Sequence, residues 1–301
     1  MSVPAAYLAV IIVWSTTPLG VQWSSQGLSP LAGAASRMCL AAAIGWVVVR
    51  LLKVSVPWHR QALKTYAVSN IGLFLGLMSL YLAAARLPSG MISVVFALSP
   101  VASALMARYL LDEPPFSLAR WLGVALGLSG LLVIFGEDVA LSRHSYPGFV
   151  LVGVGMLCFS LSGVLIKRQN CTLQPLAQTV GSLTLAAPLY LLAGLVLGLQ
   201  VDSPPPRTIA AILYLTIFGS FVGFICYFYI LKHLAASSVA LVTMVTPVLA
   251  ISLGVWFNSE PLTPNLVLGA GMIVGCLLLF YWGDSLLRRC VGVGRGGPPP
   301  A

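Results

Sequence analysis

Long runs of apolar residues, separated by short polar or Pro/Gly-containing stretches, make up almost the whole chain. Each run is about 20 residues long, the length that an α-helix needs to cross the hydrocarbon core of a bilayer. The runs are continuously apolar and do not alternate with polar residues, so they do not predict a membrane β-barrel. The pattern predicts ten transmembrane helices, at residues 5–24, 31–50, 65–85, 89–109, 118–136, 147–166, 175–199, 208–230, 236–257 and 263–283.

The composition also indicates a lipid environment. Charged residues make up 8% of the chain and apolar residues 59%, whereas a soluble domain has roughly 25% charged residues. The predicted spans use nearly all of the length, so we expect no separate soluble domain. No Lys or Arg precedes Arg37, so the first run lacks the basic region of a signal peptide and is expected to be a retained span.

The basic residues orient the predicted helices. The net charge is +9, but the basic residues are scattered in ones to fours between apolar runs, which argues against nucleic-acid binding and is typical of topology signals. With a cytoplasmic N-terminus, the inner loops and tail hold twelve basic residues and the outer loops three. We therefore expect both termini in the cytoplasm of a bacterial-type inner (plasma) membrane, with a disordered Gly/Pro-rich tail at 286–301.

An internal repeat divides the chain into two halves, at residues 1–140 and 145–285. The aligned pairs include Trp14 with Phe159 and Arg37 with Ser182 at an offset of 145, and Gly72 with Gly219, Gly76 with Gly223, Pro100 with Pro247 and Glu113 with Glu260 at an offset of 147. Because each half holds five spans, the second half enters the membrane in the opposite direction. Such 5+5 inverted repeats are typical of secondary transporters with a site near the midplane. A duplicated scaffold without transport activity is the alternative.

Several motifs resemble those of the EamA-type carriers of the drug/metabolite transporter superfamily. The motifs are Trp14-Ser15, Arg37, Ser99-Pro100, LLDEPPFSLARWLGVALGLSGLLVIF at Leu110–Phe135, Thr246-Pro247 and SEPLTPNLVLGAGMIVGCLLLF at Ser259–Phe280. The resemblance covers both halves, from about Leu8 to Tyr281. It implies a ten-helix exporter or importer of amino acids, other metabolites or drugs, and of these two directions we expect export. Span six departs from the pattern, because Phe159 stands where Trp14 stands in span one.

Arg37 is the strongest candidate for a substrate contact. It lies about six residues inside span two, or roughly 9 Å along the helix, where a charged side chain is costly unless it faces a cavity or finds partners. A guanidinium there could bind a carboxylate or phosphate on the solute. The alternative is an arginine that reaches the outer headgroups or bonds to carbonyls of a neighbouring helix. The first reading predicts that Arg37→Ala abolishes flux without loss of expression.

Prolines and hydroxyl residues inside the spans are further candidates. Proline removes a backbone donor and leaves a carbonyl free one turn earlier, which is tolerated where helices line a cavity; a packing kink is the alternative. The hydroxyls before Pro18 could contact solute beside the Trp14 ring or bond neighbouring helices instead. The predicted substrate-binding residues are Trp14, Ser15, Thr17, Arg37, Tyr81, Ser99, Tyr227, Thr243 and Thr246, and the predicted hinges are Pro18, Pro100 and Pro247.

Other recurrent residues have structural interpretations. The glycines of spans three, five, eight and ten are expected to let helices approach closely. Glu113 and Glu260 fall at span ends before proline, where a carboxylate can stabilise the start of the next helix. The unmatched residues Arg37 and Trp14 indicate that the first half supplies the more distinctive substrate contacts.

The residues that are missing also restrict the function. None of the seven acidic residues lies at mid-span and all three histidines fall in loops, so we expect facilitated diffusion or exchange instead of coupling to a buried proton or sodium site. No P-loop motif is present, no cofactor or metal is expected, and no catalytic constellation supports a membrane-embedded enzyme. The expected partners are a small-molecule solute and the lipid bilayer. A nucleotide-sugar-like exchanger, a pore and a homodimeric state are left open.

Overall fold

The structure is a computed structural model that describes residues 2–113, 116–138, 145–170, 173–235, 239 and 242–290, without the side chains at 135–138, 145, 243–244 and 285–290. These residues are helical apart from their connections, and within them the only β-type pairing is an isolated bridge between Leu28 and Val201. The helices are α1 (Val3–Ser24), α2 (Pro30–Leu51), α3 (Arg60–Ala84), α4 (Ser89–Leu110), α5 (Leu118–Asp138), α6 (Ser145–Gln169), α7 (Pro175–Leu197), α8 (Pro206–His233), α9 (Val242–Asn258) and α10 (Pro264–Cys290).

The all-α, multi-pass membrane architecture is confirmed. Eight of the helices are long and apolar enough to cross a bilayer, and α5 and α9 contribute two shorter apolar stretches, Leu118–Ile134 and Val245–Asn258. That all ten cross, as two inverted halves of five, stays a prediction. α3 begins at Arg60, five residues before the predicted start. Its first turns are polar, so they are helical but do not belong to the apolar run from which the start was predicted. α10 continues to Cys290, so residues 286–290 of the predicted tail are helical, and 291–301 lie outside the described residues.

The helices of the two halves interlock. α1 packs against α8 and α9, and α6 packs against α3 and α4. α2 packs against α7, and α5 against α10. These pairings are symmetric between the halves. When each helix is replaced by its equivalent in the other half, five helices further along the chain or five earlier, the α1–α8 and α1–α9 contacts become the α6–α3 and α6–α4 contacts. Central helices α1–α4 and α6–α9 surround the core, while α5 and α10 pair mainly with each other beside it.

Glycines allow the close α5–α10 contact. A Cβ placed on Gly123 would lie 2.9 Å from the carbonyl oxygen of Cys276, and one on Gly130 would lie 2.8 Å from that of Gly269. Backbones can approach this closely only where a side chain is absent. The structure thus supports the packing interpretation of these glycines.

Three helices depart from regular α-helical geometry, and two others run through a proline that the sequence predicts as a hinge. A π-helical segment occurs at Ile71–Gly76 in α3 and at Leu215–Val222 in α8, the third helix of each half. α4 is interrupted at residues 97–98, directly before Pro100 opens its second piece, whereas α1 and α9 run through Pro18 and Pro247. The matched prolines of the two halves therefore differ, because Pro100 begins a helical piece and Pro247 lies inside one.

Candidate functional site

A cavity lies between the two halves. Seven helices contribute to its wall, so the site exists only where both halves come together. The lining residues are Trp14, Thr17, Pro18, Arg37, Gly76, Leu77, Leu80, Ile92, Ser93, Phe96, Phe159, Gly219, Phe224 and Thr246.

Arg37 places a positive charge in the wall of this cavity. The residue is 1% exposed, so its side chain does not extend to the headgroup region. Its Nε donates a hydrogen bond to Ser220 Oγ at 2.6 Å. Its Nη1 is buried and has no hydrogen-bond partner among the described residues. A buried guanidinium with a free donor favours a negatively charged partner, because an unpaired charge in a dry site is costly.

The π-helical segment of α8 makes room for this guanidinium. A Cβ on Gly219 would lie 2.9 Å from Arg37 Nη2 and 3.2 Å from Leu215 Cδ2. The next residue, Ser220, accepts the Arg37 hydrogen bond. Adjacent glycine and serine therefore supply the space and the acceptor. π-helical turns often occur at functional sites, and here one faces the cavity.

Aromatic side chains form the apolar part of the cavity wall. The Trp14 and Phe159 rings meet edge to face with centroids 5.2 Å apart, and Phe96 lies 6.2 Å from Phe159. Tyr227 packs behind this pair, 5.3 Å from Trp14 and 5.2 Å from Phe159. Trp14 and Phe159 are the residues that the internal repeat aligns, so equivalent positions of the two halves touch at the cavity.

Among the hydroxyl residues before Pro18, one lines the cavity and another bonds to a neighbouring helix, which are the two alternatives that the sequence leaves open. Thr17 lines the cavity, with its Oγ1 donating to the carbonyl of Val13 at 2.8 Å. Thr16 Oγ1 lies 2.6 Å from the Tyr214 hydroxyl, which is the helix–helix hydrogen bond of the alternative reading. Pro18 has no N–H for the carbonyl of Trp14, so a backbone acceptor is left beside the cavity.

Other predicted site residues lie outside the cavity wall. Ser15 Oγ donates to the Ile11 carbonyl at 2.7 Å, and Tyr81 is buried with its hydroxyl 3.4 Å from Ser24 Oγ. The Ser99 carbonyl accepts from Ser160 Oγ at 3.3 Å. Pro100 and Pro247 are also absent from the lining residues, and the Thr243 side chain is outside the described part of the chain. Substrate contacts of these residues stay predictions.

Several lining residues were not predicted. Ile92, Phe96 and Phe224 are apolar residues in apolar helices, and no sequence signal separates them from lipid-facing neighbours. Ser220 was missed as well, although a serine beside Gly219 in an otherwise apolar run was a usable signal. The glycine itself was read as a packing residue.

Glu260 corrects one structural prediction. It was expected to stabilise the start of the following helix, α10, but it binds the start of α4 instead. Its carboxylate accepts hydrogen bonds from the Ser89 N–H at 3.1 Å, the Ser89 hydroxyl at 2.7 Å and the Gly90 N–H at 3.1 Å. A carboxylate at a helix N-terminus satisfies free N–H groups and the helix dipole. The loop after α9 brings Glu260 to a helix of the other half, which nearest-neighbour reasoning overlooks.

The same end of the molecule carries a wider polar network between the halves. Arg207 lies over the Trp23 ring at 3.6 Å and donates to the Phe257 carbonyl at 2.9 Å. Trp23 Nε1 donates to Asn258 Oδ1 at 3.1 Å, and Asn258 Nδ2 donates to Glu260 Oε1 at 3.1 Å. These contacts join α1, α4, α8 and α9 beyond the cavity, and we call them, with the Glu260 contacts, the end network. In the described residues no cluster of His, Cys, Asp or Glu is placed to hold a metal ion.

Comparison with known proteins agrees with this architecture. The chain is 24% identical to the uncharacterized inner membrane transporter YedA of Escherichia coli (strain K12), over 93% of this chain and 91% of that protein. It is 25% identical to a probable terminal-alkyne amino-acid exporter of Streptantibioticus cattleyicolor, over 91% and 92%.

A solved crystal structure shares the fold, with a TM-score of 0.70 at 20% identity, over 96% of this chain and 98% of that one. The sequence model of the EamA-like transporter family matches residues 2–136 and again residues 146–282. These two matches correspond to the two halves that the repeat defined. The chain belongs to the EamA-like transporter family.

Proposed function

We propose that this protein is a secondary transporter that moves a small solute with an anionic group, such as an amino acid, across a bacterial-type inner membrane. The single observation that carries the proposal is the unpartnered Nη1 of Arg37 in the cavity between the halves. Its Nε is engaged by Ser220, which fixes the guanidinium. A carboxylate could accept from the remaining nitrogen, and charge-assisted bonds of this type are strong in a buried site.

The rest of the cavity favours a solute that also carries an apolar group. Trp14, Phe96 and Phe159 form an aromatic surface, while Thr17 and Thr246 add hydroxyls. Apolar walls with a few polar groups are typical of sites that orient small molecules. An amino acid with an apolar side chain combines both requirements, and one relative is named as a probable amino-acid exporter.

Alternating access is the proposed mechanism, with export as the direction and both termini in the cytoplasm. Support comes from the exchangeable helix pairings of the two halves and from the contact between repeat-equivalent Trp14 and Phe159. Rocking of two inverted repeats around a central site is the usual mechanism of such folds. The end network would separate when the cavity opens on that side.

Energy coupling is proposed to be facilitated diffusion or exchange. The Glu260 carboxylate accepts from Ser89 and Gly90 and is thus committed to the start of α4. Carriers driven by protons or sodium commonly place a carboxylate or histidine in the membrane for the ion. Liposomes with an imposed pH gradient, with and without a protonophore, test this point, and uptake that collapses with protonophore contradicts it.

The function is tested by flux into liposomes that contain the purified protein. The solutes are amino acids with apolar side chains, their amides and amines without the carboxylate, organic cations and nucleotide sugars. We expect saturable flux of the amino acids and a loss of flux when the carboxylate is removed. A non-saturating rate would indicate a pore, and preference for nucleotide sugars would favour the exchanger.

Arg37 variants give the sharpest version of this experiment. Arg37→Gln removes the charge, and loss of one member of a buried charged pair costs about 2–5 kcal/mol, which corresponds to a KM at least thirtyfold higher. Arg37→Lys keeps the charge without the paired donors, so flux is expected to be partly retained. Amide-bearing solutes should lose little between the wild type and Arg37→Gln. Equal flux in all three proteins, at normal expression, would remove Arg37 from the site.

A further inference from the structure

A second cavity lies at the other end of the molecule, entirely within the second half. It lies between the end of α6, the start of α7 and the end of α8. Apolar residues form about half of its lining, and the polar residues all carry hydrogen-bond donors. The lining residues are Ile166, Lys167, Asn170, Leu173, Gln178, Phe228, Leu231 and Lys232.

The polar side of this second cavity is positively charged and uncompensated. Lys167 comes from α6 and Lys232 from α8, so basic residues from two different helices line the same cavity. No carboxylate is among the lining residues. Like charges brought together in this way favour an anion between them, because each lysine raises the local positive potential.

Gln178 adds an unused donor. The residue is 6% exposed, and its buried Nε2 has no hydrogen-bond partner among the described residues. A buried amide nitrogen without an acceptor is destabilising, because the group has lost its hydrogen bonds to water. An acceptor group in the cavity would satisfy it.

The start of α7 points to the same kind of ligand. Leu173 lines the cavity immediately before the helix, and the capping residue Gln174 makes no side-chain hydrogen bond to the first turn. The first N–H groups of an α-helix lack intrahelical acceptors and carry partial positive charge. Such a terminus binds phosphate and carboxylate groups, and here it coincides with two lysines and an unpartnered amide.

We propose that the second cavity binds a phosphate group, which Lys167, Lys232 and Gln178 hold through charge and hydrogen bonds. The phosphate belongs either to the headgroup of an anionic lipid or to a soluble phosphate compound. Helix ends that carry basic residues lie where headgroups are found, and basic pockets between membrane helices bind such lipids. Phe228 and Leu231 would contact the apolar part next to the phosphate. This site is separate from the Arg37 cavity and does not depend on the proposed transport.

The test is native mass spectrometry of the full-length protein in detergent, titrated with phosphatidylglycerol and, in parallel, with phosphatidylcholine. We expect one phosphatidylglycerol to bind in preference to phosphatidylcholine. The double variant Lys167→Gln/Lys232→Gln should bind it more weakly, by roughly fivefold for each lysine. Lys53→Gln, an exposed lysine after α2 that does not line the cavity, is the matched control and should bind as the wild type does.

A second measurement distinguishes the source of the phosphate and guards against a misfolded variant. Thermal unfolding is followed with and without inorganic phosphate at constant ionic strength. Stabilisation of the wild type by phosphate, absent in Gln178→Glu and in the double lysine variant, assigns the site to soluble phosphates. Binding of phosphatidylglycerol without this stabilisation assigns it to a headgroup. The proposal is overturned if the variants bind lipid and respond to phosphate as the wild type does.

Discussion

The two π-helical segments occupy the same position in the two halves, but they form hydrogen bonds with different side chains. The segment in α3 is met by Tyr190 of α7, whose hydroxyl lies 2.9 Å from the Leu73 carbonyl oxygen and 3.2 Å from that of Phe74. The segment in α8 is met by Arg37 of α2 through Ser220. In each case the second helix of one half reaches the third helix of the other.

The two copies differ in the hydrogen-bond donors that they leave free. The Tyr190 hydroxyl is neutral, its proton is donated to the backbone of this segment, and the residue does not line the cavity. Arg37 brings a charge and keeps an unpartnered nitrogen. Its repeat equivalent, Ser182, is buried and lies outside the cavity lining. In the proposed function, one copy of the duplicated arrangement thus contributes stability, and the other contributes the solute site.

Removing the Ser220 hydroxyl should have the largest effect after loss of Arg37 itself. Ser220→Ala leaves the buried guanidinium without its acceptor, and a hydrogen bond to a charged group contributes about 1.5–3 kcal/mol. We expect a KM for the anionic solute that is about tenfold higher, together with a lower Tm. Flux and thermal unfolding measure the two effects. Ser252→Ala, an exposed serine of α9, is the control, and equal KM values in both variants would show that Ser220 does not position Arg37.

Filling the space at Gly219 should give a smaller effect on the same side of the comparison. The added methyl group of Gly219→Ala meets Arg37 Nη2 at 2.9 Å, so the guanidinium must shift while its Nε is held by Ser220. We expect KM to rise by roughly threefold to tenfold, in line with overpacking costs of about 1–3 kcal/mol that side-chain movement partly relieves.

The control for this variant is Gly153→Ala. A Cβ at Gly153 has no neighbouring atom within 4 Å, and the helix α6 that carries it also carries Phe159. A KM change in Gly153→Ala equal to that in Gly219→Ala would mean that the effect comes from helix propensity and not from the guanidinium.

On the other side of the comparison, Tyr190→Phe should leave the solute affinity unchanged and lower stability only. It removes the hydroxyl from Leu73 and Phe74, a loss of about 1 kcal/mol for a neutral hydrogen bond. Thermal unfolding should show a slightly lower Tm than for Tyr146→Phe, which alters an exposed tyrosine. A raised KM in Tyr190→Phe would show that the two π-helical segments are functionally alike, and the proposed difference between the two halves would then be wrong.

The sequence predicts the helices well because a helix that crosses a membrane requires an apolar run of about 20 residues. It also predicts Arg37, Thr17 and Thr246, which stand out against an apolar background, but it does not single out Ser93. Trp14 is predicted through the hydroxyl residues beside it and through the family motif. These residues do line the cavity between the halves.

The remaining features depend on contacts that a local pattern does not contain. The π-helical segments lie where α2, α3, α7 and α8 pack together, and an apolar run looks the same with or without them. Ile92 and Phe96 face the cavity only because α4 is oriented by its neighbours. Glu260 reaches Ser89 across 171 positions of sequence, which no pattern within one span could indicate.

The interruption of α4 has a mechanical consequence. Its first piece, Ser89–Phe96, is about 12 Å long and carries the cavity residues Ile92, Ser93 and Phe96. Glu260 of the second half holds one end, and the turn before Pro100 of the first half holds the other. The piece is therefore attached to both halves, and we expect the proposed rotation of one half against the other to displace it together with three side chains of the cavity wall.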